Sequence, residues 1–154
     1  MTDACVATVD AYVIRRVGGD WELLALRRAS GTRCTGAWEG VHGFIEGSER
    51  PEDAAFREVF EETGLRVQRL YNVAVQPFYL HGSDLVTLAV AFAAVVDGAS
   101  TTVLGPEHDR AEWIPFVEAK RRLAWPRSRA ALDDIGILLA GGDGGAVEDV
   151  LRVR

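Results

Sequence analysis

The sequence predicts an α+β sandwich in which helices pack against a mixed β-sheet. Strand-like segments lie before and after one amphipathic helix, and another helical segment follows near the end of the chain. The 154 residues are enough for one buried core and short for two, so we expect a single domain over residues 1–154. Apolar residues make up 48% and charged residues 26%, which excludes a disordered or collagen-like chain.

The first third of the chain predicts a β-hairpin followed by a loop. Residues 4–16 are rich in valine and tyrosine and indicate a strand. The two glycines of residues 18–20 mark a turn, and residues 21–28 form the return strand. The polar residues 29–37 predict a loop, and residues 38–45 are expected to be extended.

Residues 51–63 predict a helix whose ends are marked by local sequence. Pro51 suits the first helical position, and Gly64 suits the residue after the last turn. Glu52 and Asp53 favour the positive end of the helix dipole.

The second half predicts further strands and two helices. In chain order they are strands over 65–80, 85–96 and 112–114 and helices over 115–123 and 128–139. The glycine-rich run that opens residues 141–154 lacks the lysine and hydroxyl residue of a phosphate-binding loop. We therefore expect a flexible tail there, whose last residues could form a helix or a strand.

Charge and composition argue against several function classes. The net charge of −6 disfavours nucleic-acid binding, which depends on clustered lysine and arginine. No apolar run approaches the roughly 20 residues that span a membrane, and the N-terminus lacks the basic region of a secretory signal. Cys5 and Cys34 have neither metal-binding spacing nor the number needed for a disulfide framework. We expect a cytoplasmic protein with no membrane partner.

The acidic residues of the predicted helix share one face. At 100° per residue, Glu58, Glu61 and Glu62 cluster, while Phe56, Val59 and Phe60 point toward a core. Like charges at this spacing repel one another, so the face needs positive charge from outside the helix. Mg²⁺ or Mn²⁺ suits this oxygen-rich set and would bridge it to a polyphosphate substrate. A solvated acidic face with salt bridges to its neighbours is the alternative interpretation.

This helix belongs to a longer motif. Residues 43–65 follow the pattern Gly, five residues, Glu, seven residues, Arg-Glu-aliphatic, one residue, Glu-Glu, one residue, Gly-aliphatic. The nine matching positions are Gly43, Glu49, Arg57, Glu58, Val59, Glu61, Glu62, Gly64 and Leu65. The run resembles the Nudix box, the signature of the Nudix hydrolases. The resemblance implies an α/β/α sandwich and water attack on a phosphorus of a nucleoside diphosphate linked to another group.

The resemblance also implies roles for individual residues. The implied metal ligands are Glu58, Glu62, Glu61, Glu107, the Gly43 carbonyl and, through water, Glu46. The implied catalytic set is Glu58, Glu61, Arg57 and Glu107. Arg57 would pair with Glu49 and orient the loop. Glu107 would be the general base, because its sequence context resembles a bacterial branch that acts on dATP and dihydroneopterin triphosphate. A surface acid is the alternative interpretation of Glu107.

Four residues outside the motif are candidates for substrate binding: Arg27, Arg28, Trp38 and Tyr79. Arg27 and Arg28 end a strand, where alternation turns one of them inward and toward a phosphate. A solvated pair is the alternative. Trp38 could line a pocket for a base or pterin, or pack in the core. Tyr79 could meet the leaving part of the substrate, or be an ordinary strand residue.

The motif predicts a reaction and leaves the substrate open. From the context of Glu107 and the absence of other branch motifs, we expect a nucleoside or pterin triphosphate that is cleaved to monophosphate and pyrophosphate. A nucleotide sugar or a dinucleoside polyphosphate is the alternative substrate. A nucleotide-binding domain without catalysis is the alternative of another class. The resemblance is compatible with a homodimer.

Overall fold

The computed structural model describes residues 1–154 as seven strands, four α-helices and a 3₁₀ turn. The strands are β1 (Asp3–Val17), β2 (Asp20–Arg28), β3 (Trp38–Glu39), β4 (Val41–Phe44), β5 (Val67–Leu80), β6 (Leu85–Val96) and β7 (His108–Pro115). The helices are α1 (Pro51–Thr63), α2 (Phe116–Arg122), α3 (Pro126–Leu138) and α4 (Glu148–Leu151), and the 3₁₀ turn is Gly145–Val147. None of these helices is both long and apolar enough to cross a bilayer.

All seven strands form one mixed sheet. β3, β2, β1, β6 and β5 lie side by side in this order, while β4 pairs with β1 and β7 pairs with β2. β1 and β6 are parallel, and the other strand pairs are antiparallel. Parallel neighbours need a long connection, and here that connection contains α1. The mixed sheet with its helices confirms the predicted α+β class.

Helices cover both faces of the sheet. Alternation along β1 sends Val9, Ala11 and Val13 into a core shared with α1. The same alternation sends Tyr12 and Ile14 into a second core, shared with α2 and α3. Apolar packing therefore fixes one side of α1 on the sheet, and its other side is left to carry charge.

Both ends of α1 lie where the sequence predicts them. Pro51 occupies the first turn, and Gly64 follows the helix in the left-handed region, with φ of 70°. The Gly64 N–H donates to the Phe60 carbonyl at 2.8 Å and satisfies one carbonyl of the last turn. Arg50 makes no capping hydrogen bond, and its guanidinium contacts Glu52 at 2.6 Å.

β7 is longer than predicted. The sequence predicts a strand over 112–114, whereas β7 spans His108–Pro115. The extra length comes from antiparallel pairing with β2, which continues to Arg28 opposite His108. A local pattern cannot reveal a pairing between segments so far apart in the chain.

The tail over residues 141–154, expected to be flexible, packs against β5 in the structure. The Leu70 N–H donates to the Arg154 carbonyl, and the Val153 N–H donates to the Leu70 carbonyl, both at 2.8 Å. The segment contains a one-turn helix, α4, and then an isolated bridge to β5. Of the two forms that the sequence left open, the helix is therefore present, and the strand is reduced to this single bridge.

Candidate active site

One face of α1 and the loop before β7 line an acidic cavity of about 210 Å³. Glu58, Glu61 and Glu62 come from α1, and Glu107 comes from the loop. The other lining residues are Gly105, Pro106 and His108. The structure therefore brings the loop carboxylate into the same space as the three helix carboxylates.

Arg57 connects the helix to the loop that precedes it. Its Nε and Nη2 donate to the two carboxylate oxygens of Glu49, each at 3.0 Å. Nη2 also donates to the Phe44 carbonyl at 2.9 Å. Nη1 donates to Glu58 at 2.7 Å and to Glu61 at 3.3 Å. One guanidinium thus holds the loop and orients two carboxylates of α1.

Gly43 and Glu46 differ in their relation to the cavity. A Cβ at Gly43 would overlap the carboxyl group of Glu58, so the β4 backbone and this side chain can touch only because residue 43 lacks a side chain. The Glu46 side chain is 72% exposed, lies 3.7 Å from Arg57 and does not line the cavity. Gly43 therefore positions Glu58, whereas Glu46 lies outside the cavity.

Burial and mutual repulsion act against full ionisation of the cavity carboxylates. The Glu62 side chain is 7% exposed. Its burial, together with the charges of Glu107, Glu58 and Glu39, raises its pKa to about 9. Burial also raises the pKa of Glu58, although Arg57 opposes that shift. Without a cation, Glu62 therefore keeps a proton at neutral pH.

The donor set fits a hard divalent cation. Oε2 of Glu62 is buried without a hydrogen-bond partner, and the carboxylates around it leave an excess of negative charge. Such cations prefer oxygen ligands of this kind. No three side chains converge on one point in the structure, and Glu58 is turned toward Arg57. Glu58 would therefore have to rotate away from Arg57 to share a cation with Glu61, Glu62 and Glu107.

Arg27 and Arg28 point to different environments, as strand alternation predicts. Arg27 contacts Asp109 at 2.8 Å, and both side chains are exposed. Arg28 is turned inward and donates to Glu39 at 3.0 Å. Glu39 also contacts His108, which lines the cavity, so Arg28 lies one residue behind the cavity wall. The Arg28 charge partly opposes the rise in the pKa of Glu62.

Trp38 and Tyr79 do not line the acidic cavity. The Trp38 ring packs against the core under α2 and α3, with the Arg122 guanidinium 5.0 Å from its centroid. Tyr79 is exposed, and its hydroxyl donates to Asp84 at 2.9 Å.

Sequence reasoning missed two buried carboxylates on the sheet. Asp10 is 4% exposed, accepts a hydrogen bond from Arg127 at 2.6 Å and lies 2.6 Å from Nδ1 of His42. Glu39 is also 4% exposed and lies 2.9 Å from Nε2 of His108. An acidic residue within an apolar strand was the only signal for Asp10. Glu39 had none, because its partners are remote in the sequence.

Comparison with known proteins identifies the family of the chain. A sequence model of the NUDIX domain matches residues 6–135. The chain belongs to the Nudix family. This membership confirms the resemblance that residues 43–65 carry, and the acidic cavity is built from the Nudix box and one loop outside it.

Named relatives of this Nudix chain match it over part of their length. It is 34% identical over 119 residues to a Myxococcus xanthus protein named octanoyltransferase. This match covers 75% of this chain and 32% of that protein. It is 33% identical over 94 residues to the mouse oxidized purine nucleoside triphosphate hydrolase. This match covers 59% of this chain and 57% of the mouse protein. The chain thus spans about a third of the Myxococcus protein and just over half of the mouse protein.

A solved structure shares the Nudix fold of the chain. The crystal structure of a C. elegans Ap4A hydrolase binary complex superimposes with a TM-score of 0.74 at 18% identity. The match covers 92% of this chain and 99% of that one. The similarity supports the sandwich architecture of the chain.

Proposed function

We propose that this Nudix protein is a divalent-metal-dependent pyrophosphohydrolase that cleaves a nucleoside or pterin triphosphate to a monophosphate and pyrophosphate. The acidic cavity carries the proposal, because three carboxylates of α1 and Glu107 line one space. The negative carboxylates repel a polyphosphate unless cations lie between the carboxylates and the phosphates. Mg²⁺ or Mn²⁺ is the proposed cofactor, since these ions bind carboxylates and substrate phosphates together.

The Nudix box residues would hold the metal. Glu58 and Glu62 are the proposed principal ligands, and Glu61 is the third. Gly43 contributes its carbonyl and the space that Glu58 occupies. The bound metal would withdraw charge from phosphate oxygens and acidify a water molecule. Arg57 has a positioning role, since its hydrogen bonds hold the box loop against α1.

Glu107 is the proposed general base. In the proposed reaction, water adds to a phosphorus atom and a proton of that water passes to the Glu107 carboxylate. The bond from phosphorus to the bridging oxygen breaks, and the leaving phosphate keeps the electron pair. Arg28 is turned inward near the cavity and would offset the charge of the substrate phosphates. Arg27 would act at the exposed rim.

Two observations favour a triphosphate as the substrate. The sequence around Glu107 and His108 is similar to that of the branch acting on dATP and dihydroneopterin triphosphate. The mouse relative is named a nucleoside triphosphate hydrolase. The Ap4A hydrolase shares the fold at 18% identity, which does not extend to its substrate. The complete set of cavity carboxylates favours an enzyme over a nucleotide-binding domain without catalysis.

A substrate panel tests this proposal. We would measure pyrophosphate and phosphate release from dNTPs, NTPs, dihydroneopterin triphosphate, ADP-ribose, a nucleotide sugar and a diadenosine polyphosphate, with Mg²⁺, Mn²⁺ or a chelator. Metal-dependent pyrophosphate release from a triphosphate is the expected result. Turnover of the other compounds alone would overturn the substrate class, and silence from folded, metal-bound protein would favour a binding domain.

The role of Glu107 is tested with a conservative variant. Glu107→Gln keeps the size of the side chain and removes its capacity to accept a proton. We expect turnover to fall by about 10²–10⁴-fold, the usual contribution of general acid–base catalysis. Asp134→Asn, an exposed change on α3, is the matched control. An unchanged rate in Glu107→Gln would return Glu107 to a surface acid.

A further inference from the structure

A buried histidine lies behind the Glu62 carboxylate. His108 begins β7, and its side chain is 1% exposed. Its Nδ1 lies 3.9 Å from Oε2 of Glu62, and both atoms are buried without a hydrogen-bond partner. Buried polar atoms in folded proteins are nearly always paired. Two unpaired atoms facing each other at the edge of the acidic cavity therefore require an explanation.

Glu39 fixes the opposite edge of the imidazole ring. Nε2 of His108 donates to Oε1 of Glu39 at 2.9 Å. Arg28 donates to the same oxygen at 3.0 Å, and the indole N–H of Trp125 donates to Oε2 at 3.1 Å. Burial opposes ionisation of Glu39, but these hydrogen bonds outweigh it and lower its pKa. The charged acceptor fixes the Nε2 edge of the ring, so the Nδ1 edge faces Glu62.

Three strands of the sheet hold this ring. Glu39 lies on β3, His108 on β7 and Arg28 on β2, and β2 pairs with both of the other strands. The ring therefore cannot turn without breaking its hydrogen bond to the buried Glu39 carboxylate. Glu62 is the only carboxylate of α1 within salt-bridge distance of the ring. Glu61, by contrast, is 57% exposed to solvent. The fixed ring thus contacts one proposed metal ligand, Glu62.

We infer that His108, fixed by Glu39, is a positioning residue that sets the orientation of the Glu62 carboxylate for the divalent metal. The inference rests on the proposed function, because it requires Glu62 to bind the metal. His108 does not touch the reacting atoms in this role. Groups that orient metal ligands from behind typically contribute roughly 10–100-fold to metal affinity.

The test is Mn²⁺ affinity without substrate, measured from the EPR signal of free Mn²⁺. His108→Asn and His108→Leu are a matched pair, because the two side chains have similar shape and only asparagine keeps a polar atom near the position of Nδ1. We expect roughly 10–100-fold weaker binding in His108→Leu and partial recovery in His108→Asn. Glu39→Gln should weaken binding less, and adding it to His108→Leu should cause little further loss.

A control separates positioning from general loss of stability. Trp21→Phe removes the buried hydrogen bond from the indole to the Leu139 carbonyl, at 2.8 Å, in the core under α3. Its melting temperature should fall while its Mn²⁺ affinity stays at the wild-type value. If His108→Leu does not fold, the Mn²⁺ affinity of Glu39→Gln tests the positioning role instead. This variant keeps the shape of the side chain and replaces one oxygen by an amide nitrogen.

The outcomes separate this inference from the proposed function. Wild-type Mn²⁺ affinity in His108→Leu and Glu39→Gln, with Glu62→Gln impaired, would overturn the positioning role alone. Equal losses in His108→Asn and His108→Leu would also overturn it, since that result indicates a space-filling role. Intact Mn²⁺ binding without triphosphate turnover would contradict the proposed reaction and leave the positioning role standing. Absence of Mn²⁺ binding in wild type would contradict both.

Discussion

At the scale of single residues, Glu62 combines burial with negative neighbours. Its folded-state pKa of about 9 exceeds the ordinary value of 4.5, so the metal-free folded protein holds a proton that the unfolded chain releases between these values. The free energy of unfolding therefore falls as pH rises through this window. A site built to hold a cation is a source of instability when the cation is absent.

The variant Glu62→Gln tests this conflict, because its neutral amide removes the titration while keeping the shape. At pH 8 with a chelator, we expect the variant to melt at least about 3 °C above wild type, the shift that about 1 kcal/mol produces in a domain of this size. Its melting temperature should also depend less on pH. Its metal-dependent turnover should be nearly abolished, because a neutral amide is a poor substitute for a carboxylate ligand of a hard divalent cation. A variant that melts at or below the wild-type temperature would contradict the electrostatic account.

At the scale of elements, Arg57 joins α1 to the loop after β4. The helix packs on the sheet through its apolar side, whereas the loop places only Ile45 against the same core. The paired hydrogen bonds between Arg57 and Glu49 join the loop to the helix. The same guanidinium also donates hydrogen bonds to the Phe44 carbonyl and to Glu58. The orientation of the box loop thus depends on one side chain.

The variant Arg57→Gln tests the dependence of the loop on this side chain. Hydrogen bonds to charged groups contribute about 1.5–3 kcal/mol, so we expect a fall in melting temperature of roughly 4–8 °C. Turnover should fall as well, because the box loop loses its attachment to α1. Glu49→Gln should reproduce part of the stability loss, and the double variant should show less than the sum of the two. Additive losses would show that the two residues act independently.

At the scale of the whole molecule, the features that short sequence segments predict differ from those that depend on contacts between distant residues. The hairpin, α1 with its two ends, and the box carboxylates follow from periodicity and spacing within short segments. The contact of His108 with Glu39 joins residues 69 apart, and that of Arg127 with Asp10 joins residues 117 apart. The first arises from the order of strands in the sheet, and the second arises from the packing of α3 against β1. No local pattern encodes either contact.

The central claim is that the acidic cavity directs water onto a phosphorus of a triphosphate, and an isotope experiment tests it most directly. The triphosphate that the panel selects is turned over in H₂¹⁸O with Mg²⁺, and the products are analysed by mass spectrometry. We predict monophosphate and pyrophosphate, with one ¹⁸O atom per turnover in one of the two and no products with chelator or Glu62→Gln. Label in orthophosphate, or equal turnover with chelator, would contradict the account.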